Sequence, residues 1–322
     1  MKRAIVAAAM VAALVLTACG VTRGEESGLH RLRMMVPNSP GGGYDLTART
    51  AVKIMEDDDL TGRVEVFNVI GAGGTVAMAR LMNEKGNDDL MMTMGLGVVG
   101  ATYTNGSKIK ASDATALAKL IEDPGAVFVP ADSPFKTIQD MVTAWKADPS
   151  KVTIGGGSSP GGPDHLFPME LAKAVGVDPK SVNFVTYDGG GDLLTALLGK
   201  KVTVGTSSPG ELIDQIEAGQ LRVLAVSSDK RVEGVDAPTL KESGIDMTFA
   251  NWRGVLAPPG ISDGAKQAMV RVLEELHGTQ QWKEALVKNG WTDAFVTGAQ
   301  FEQFLKDQDE RVSSTLTELG LI

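Results

Sequence analysis

The chain is poor in most residue types that carry chemistry on their own. It has one cysteine and three histidines in 322 residues, which excludes a disulfide scaffold and any cysteine-based zinc site. Positive charge is short as well: 31 Lys+Arg face 40 Asp+Glu, a formal charge of −9. That balance excludes nucleic acid as a partner, because neutralising phosphates needs a basic face. No apolar run reaches the roughly 20 residues that span a bilayer. Aromatics make up only 5% of the chain, yet hydrophobic residues reach 43%, enough to build the cores of about two domains. Glycine alone is in excess, with 38 residues and no collagen-like period. Those glycines have to be explained by turns.

The N-terminus begins Met1-Lys2-Arg3, continues through an apolar stretch from Ala4 to Leu16, and ends in Thr17-Ala18-Cys19-Gly20. A basic start, a short apolar segment and small residues describe a secretory signal, not a membrane-anchor helix. Leu16-Thr17-Ala18-Cys19 is similar to the bacterial lipoprotein box, and the lone cysteine stands where lipid would be attached. The expectation is a signal peptide over 1–18, lipidation at Cys19, and a polar tether over 19–29 that holds the working part at the membrane.

From Arg31 onward short apolar runs, glycine-rich turns and helical patterns alternate. Leu32–Val36 reads as a strand, followed by Gly41-Gly42-Gly43 and a helix over 45–55. The same order recurs at Val64–Val69, Gly71-Ala72-Gly73-Gly74 and a helix through Met82, and then at the Leu90–Met94 strand. It returns at Val152–Ile154 with a helix over 164–175, and at Asn183–Tyr187, Gly189-Gly190-Gly191 and a helix through Leu198. Val202–Val204 and Leu224–Val226 are further strands, and helical patterns over 264–276, 281–288 and 299–316 close the chain. Strands alternating with helices predict an α/β protein with parallel sheets. Gly125 and the region of Ala250 are the places where the chain is expected to pass between lobes.

Glycines between strand and helix let the backbone approach an anion, whose charge the helix N-terminus favours. No Gly-Lys-Ser/Thr triplet exists for a phosphate loop. Gly95-Leu96-Gly97-Val98-Val99-Gly100 fits the dinucleotide fingerprint, but Ala101–Lys108 reads as opening no helix, which removes the pyrophosphate site. Gly157-Ser158-Ser159-Pro160-Gly161 fits the hydrolase elbow around Ser159. There the residue after the nucleophile should donate its N–H to an oxyanion, and Pro160 has none. No histidine pair has metal-ligand spacing, so neither a metal nor a cofactor is expected. A ligand receptor remains, with helix N-termini converging on a small carboxylate; an α/β hydrolase using Ser159 and a carboxylate sensor with a signalling partner stay open as alternatives.

The residues also resemble the solute receptors of tripartite tricarboxylate transporters, the Bug proteins, from about Met34 to Ile322. The resemblance rests on Val36-Pro37 with Gly41-Gly42-Gly43-Tyr44-Asp45 and Arg49, on Gly71-Ala72-Gly73-Gly74, and on Gly155-Gly156-Gly157-Ser158 with His165-Leu166. Tyr187 with Gly189-Gly190-Gly191, Leu197-Leu198-Gly199 and Ala218–Arg222 complete the ordered set. Ser158–His165 and Asn251-Trp252-Arg253-Gly254 are similar to the tricarboxylate branch. Asn68-Val69-Ile70 departs from the family's Asn-Arg-Pro. The resemblance implies a two-lobe periplasmic-binding-protein fold of type II with a parallel-rich sheet in each lobe. Lobe one would comprise 30–125 and 251–322, lobe two 126–250. It also implies a membrane permease as partner and no enzymatic activity.

The expected ligand contacts in lobe one are Asn38, Ser39, Gly41, Gly42, Gly43 and Tyr44, with Gly71, Ala72, Gly73 and Gly74. Asp45 reads first as a loop-ordering cap paired with Arg49, with contact to a ligand amine or hydroxyl as the second possibility. In lobe two the candidates are Ser158, Ser159, Tyr187, Gly189 and Gly190, and Thr206 and Ser207 resemble a further contact. Arg253 is either a guanidinium for a third carboxylate or an ion pair between the lobes. Trp252 reads as core.

Overall fold

The computed structural model describes residues 31–187 and 189–322; the signal, Cys19 and tether lie outside them. The chain opens with β1 (Arg33–Val36), α1 (Gly43–Asp57), β2 (Glu65–Asn68), α2 (Thr75–Asn83), β3 (Leu90–Gly95) and α3 (Leu96–Thr104). Next come β4 (Thr115–Pro124), β5 (Ala126–Pro130), α4 (Ile138–Ala147), β6 (Ile154–Gly156), α5 (Pro163–Val175), β7 (Phe184–Thr186) and α6 (Gly190–Leu198). The remainder is β8 (Val204–Ser207), α7 (Ile213–Glu217), β9 (Leu221–Val226), β10 (Ala250–Ala257), α8 (Asp263–Gly278), α9 (Gln280–Asn289), β11 (Thr292–Thr297) and α10 (Gly298–Glu318).

These strands form two sheets, ordered β11-β4-β10-β3-β1-β2 and β7-β6-β8-β5-β9. Each contains a parallel trio, β2-β1-β3 in one and β7-β6-β8 in the other. The sheets are nevertheless mixed where parallel ones were expected. β10 runs antiparallel to β3 and β4, β11 antiparallel to β4, and β5 antiparallel to β8 and β9. The reason lies in the crossings. β4 and β5 are one extended segment broken at Gly125, so the chain leaves the first sheet and joins the second without a helix to reverse it; β10 makes the return. The two-lobe α/β architecture follows from this topology.

Apolar spacing accounts for the helices that cover the sheets. Ala48, Ala51, Val52 and Met55 bury one face of α1 at helical spacing. α3 corrects the sequence reading: a helix does follow β3, running through Gly97 and Gly100. It is buried on nearly every side, so it shows no polar face for periodicity to detect. Its glycines are packing contacts inside the helix. A Cβ on Gly97 would lie 2.8 Å from the Tyr44 hydroxyl, and one on Gly100 only 1.8 Å from the Gly161 carbonyl oxygen. The dinucleotide loop, which needs those glycines in a turn before the helix, does not exist here.

Candidate functional site

A cavity of about 560 Å³ opens between the two sheets, lined by the turns after β1, β2, β6 and β7 and by β10. Five helices begin around it or beside it, and each is preceded by glycine: Gly42 before α1, Gly74 before α2, Gly95 before α3, Gly162 before α5 and Gly189 before α6. None of the five caps gives a side-chain hydrogen bond. By contrast α4, α8 and α9, which start elsewhere, carry Thr137, Ser262 and Thr279 caps that accept N–H bonds. A cap oxygen satisfies N–H groups that a helix otherwise leaves open, so bare glycine caps keep donors for an anion.

Two of these turns are built alike. Ser39-Pro40-Gly41-Gly42 precedes α1 and Ser159-Pro160-Gly161-Gly162 precedes α5. Gly41 and Gly161 both take left-handed backbone, φ 84° and 82°, which glycine adopts without the Cβ penalty. In each the left-handed glycine donates its N–H to the third residue of the helix: Gly41 to Asp45 Oδ2 at 2.9 Å, and Gly161 to His165 Nδ1 at 3.0 Å. The turn after β2 is more strained, since Gly71, Ala72, Gly73 and Gly74 all have positive φ. Ala72 pays the steric cost that glycine avoids, and such strain collects at functional turns.

Arg253 lines the cavity and is 2% exposed. Its Nη2 lies 2.7 Å from Asp123 Oδ2 and 3.3 Å from Glu211 Oε1, and Nη1 donates to Thr47 Oγ1 at 3.3 Å. It therefore links α1, β4 and the turn after β8. Asp123 is thus ion-paired with Arg253, and Ser208 also hydrogen-bonds its carboxyl. Burial pushes the Asp123 carboxyl up to about 7, with Arg253 opposing and Glu211 adding to the rise. Burial also raises Asp164 well above the carboxylate range, Glu211 and Asp123 reinforcing it against Arg253. The Tyr44 phenol is driven up to about 12 by burial, in opposition to Arg253, and its oxygen accepts the Val98 N–H at 3.3 Å.

Asn38, Ser39, Gly41, Gly42, Gly43, Tyr44, Gly71, Ala72, Gly73, Gly74, Ser158, Ser159, Gly189, Gly190 and Arg253 all line this one cavity. Four other expected residues do not. Asp45 is buried behind the first turn, bonded to Arg49 at 2.9 Å and to the Asn68 amide at 2.9 Å. Burial alone would raise its carboxyl, but Arg49, the Gly41 N–H and Asn68 hold it below the usual value. Tyr187 packs on the second sheet's core. Thr206 donates to the Asp164 carbonyl at 2.7 Å, and Ser207 donates to Glu211 Oε2 at 3.2 Å, so both act on the neighbours of the cavity. Ser158 accepts the Asp164 N–H at 3.0 Å. Ser159 has no hydrogen bond to a histidine among the described residues, and His165 Nδ1 is occupied by Gly161. Trp252 is core, edge-on to Phe301 and Phe304.

Sequence reasoning missed Asp123, Asp164, Glu211 and Asn251, all of which line the cavity. The repeated Ser-Pro-Gly-Gly would have pointed to Asp164, because it sits at the helix position that Tyr44 occupies in the first turn.

Among known proteins, the chain is 28% identical over 300 residues to the UPF0065 protein in the gbd 5′ region of Cupriavidus necator, covering 90% of this chain and 88% of that one. It is 26% identical to BugT of Bordetella pertussis over 301 residues, 90% and 89% of the two chains. Its fold matches MatC of Rhodopseudomonas palustris with bound malate (TM-score 0.77, 19% identity, 89% and 99% covered). A second R. palustris protein, solved with adipate, matches at TM-score 0.80 with 20% identity, 90% and 97% covered. The family model described as tripartite tricarboxylate transporter family receptor matches residues 48–321, and this chain belongs to that family of extracytoplasmic solute-binding receptors.

Proposed function

We propose that the chain captures a small di- or tricarboxylate, citrate-like in class, and hands it to the two-component integral membrane permease of a tripartite transporter. The observation that carries this reading is the convergence of glycine-capped helix ends on one cavity; the first-turn N–H groups of α1, α2 and α6 have no side-chain acceptor among the described residues, whereas Ser158 takes the Asp164 N–H of α5. Each such end favours an anion by about 0.3–1 kcal/mol when exposed and up to about 2 when partly buried. Several together, with charge-assisted hydrogen bonds, reach the roughly 8 kcal/mol of micromolar binding. The malate and adipate held by its structural neighbours support the same class. The lobes comprise 30–125 plus 251–322 and 126–250, and they close on the solute, excluding water and strengthening its hydrogen bonds. Lipid on Cys19 keeps the receptor at the outer face of the membrane, and the protein turns nothing over.

A thermal-shift panel tests the class. A carboxylate at about 100 times its Kd stabilises the protein by about 2.7 kcal/mol. A rise in melting temperature with sugars but with no di- or tricarboxylate overturns the proposal.

A further inference from the structure

A second cavity, of about 550 Å³, lies behind the strands on which the chain crosses between the sheets. Alternation along β4 and β10 sets it apart from the cleft. Asp123, Asn251 and Arg253 line the cleft, whereas Glu122, Ala250 and Trp252, one residue out of phase, line the rear cavity. The ladder keeps Asn251 opposite Asp123 and Trp252 opposite Glu122. Successive side chains of a strand leave on opposite faces, so the same two strands wall both cavities from their two sides. One bank of the rear cavity is the turn after β9, from Ser227 to Glu233. The other is the end of α9 together with Phe304, Gln308 and Arg311, which share one face of α10 at helical spacing. The solute site uses none of these banks.

The rear cavity has its own chemistry. Its apolar walls are Trp252, Leu286, Val287, Trp291 and Phe304, and Val287 stays 50% exposed. Six lining residues are charged, and three of them are already paired: Glu122 with Lys119, Asp229 with Lys241 and Arg231 with Glu242. Lys230 and Arg311, on opposite banks and in no ion pair among the described residues, are left against the one carboxylate of Glu233. The wall also buries polar atoms without a protein partner: Gln308 Oε1 and the indole N–H groups of Trp252 and Trp291, on residues 8%, 1% and 6% exposed. Trp145 and Trp282 leave their indoles unmet in the cores as well, so Gln308 carries that point; a buried amide left unmet is costly. We propose that the rear cavity is a second binding site, for an amphipathic anion with an aromatic or branched apolar body. The body buries against the aromatic walls and the anionic head meets Lys230 and Arg311 at the rim. The volume falls within the roughly 300–1,000 Å³ of small-molecule sites. This site is additional to the solute cleft and does not depend on what the cleft holds.

The probe is 4-benzoylbenzoate, which joins two rings to one carboxylate and attaches to nearby C–H bonds on irradiation. Peptide mapping after irradiation of the whole protein is expected to find it on segments 227–233, 286–292 or 304–311. Val287 and Arg311 are exposed, so V287E, V287K and R311Q should all fold. V287E sets a carboxylate against the apolar wall and should weaken the probe's calorimetric affinity about fivefold or more, and R311Q about threefold. V287K loses the same apolar contact but adds a cation, and should weaken binding less than V287E. Label confined to the turns of the cleft, or absent from all three rear segments, overturns the inference and leaves the solute reading standing. Rear labelling with an affinity that neither V287E nor R311Q changes overturns it too. Equal losses in V287E and V287K would show that charge plays no part, and would overturn the anionic class.

Discussion

Asp45 and His165 hold the same post in two matching turns, each accepting the N–H of a left-handed glycine four residues back, yet only His165 is a group that ordinarily titrates near neutral pH. Burial pushes its imidazole down to about 4 from the usual 6.5. A lowered folded value means that its stabilisation is complete above pH 6.5 and is lost as pH falls toward 4, in all about 3 kcal/mol. Asp123 runs the other way: its carboxyl, raised to about 7, stabilises the fold in acid and gives that stabilisation up as pH rises through 7. H165N keeps an acceptor for the Gly161 N–H but cannot titrate. Melting curves of wild type and H165N between pH 7 and 4 should therefore diverge, the variant gaining relative stability as pH falls; parallel curves would remove His165 from the acid response. At this scale the sequence showed the donors and concealed the acceptors. Glycines beside strand ends announce themselves, but Asp123 lies inside a strand and Glu211 in a short turn, and only the fold brings them to Arg253.

Three helices that start away from the cleft carry side-chain caps, and the helices that start at it carry glycine. Thr or Ser closes α4, α8 and α9, while the ends at the cleft carry glycine, a choice that gives up only about a few tenths of a kcal/mol of helix stability at each. Substitution at α6 separates the two roles. Gly191 is the second residue of α6 and lines the cavity, and a Cβ there meets nothing within 4 Å. G191D replaces a helical glycine and places an anion at the helix start, together worth about 1 kcal/mol and a rise of about 2–4 °C in melting temperature. The same carboxylate competes with the solute, so affinity should fall about tenfold or more. A variant that is more stable and binds equally well would take the end of α6 out of the anion site. Amphipathic helices such as α1 and α8, and the strands before glycine turns, were legible in the sequence to within two residues. β4, β5, β10 and β11 were not, and neither was α3. Strands such as β4 and β10 and the helix α3 are buried on both faces, so their runs show no alternation that periodicity can register.

At the scale of the whole molecule, a protein of net charge −9 is expected to hold an anion, so long-range attraction cannot be the source of affinity; it must come from short-range bonds in the cavity. Among the contacts between the two lobes are the Arg253–Glu211 pair and three others. Thr104 Oγ1 donates to the Pro160 carbonyl at 3.1 Å, Gly73 packs against Ser159, and α3 lies against the Gly161 turn at Gly100. The last is the tightest, because a Cβ on Gly100 would stand 1.8 Å from the Gly161 oxygen, and that partner is backbone and cannot turn aside. G100A therefore penalises the closed arrangement and leaves an open one untouched. Overpacking of this kind costs about 1–3 kcal/mol, which corresponds to a loss of about fivefold to 150-fold in affinity when closure is coupled to binding. Small-angle scattering supplies the second readout: the wild type should contract on adding the solute, and G100A should contract less at equal saturation, with its ligand-free melting temperature within about 2 °C of wild type. Full affinity and full contraction in G100A would show that α3 and the second turn do not meet on closure. A lower ligand-free melting temperature with unchanged contraction would place the contact in the resting fold instead.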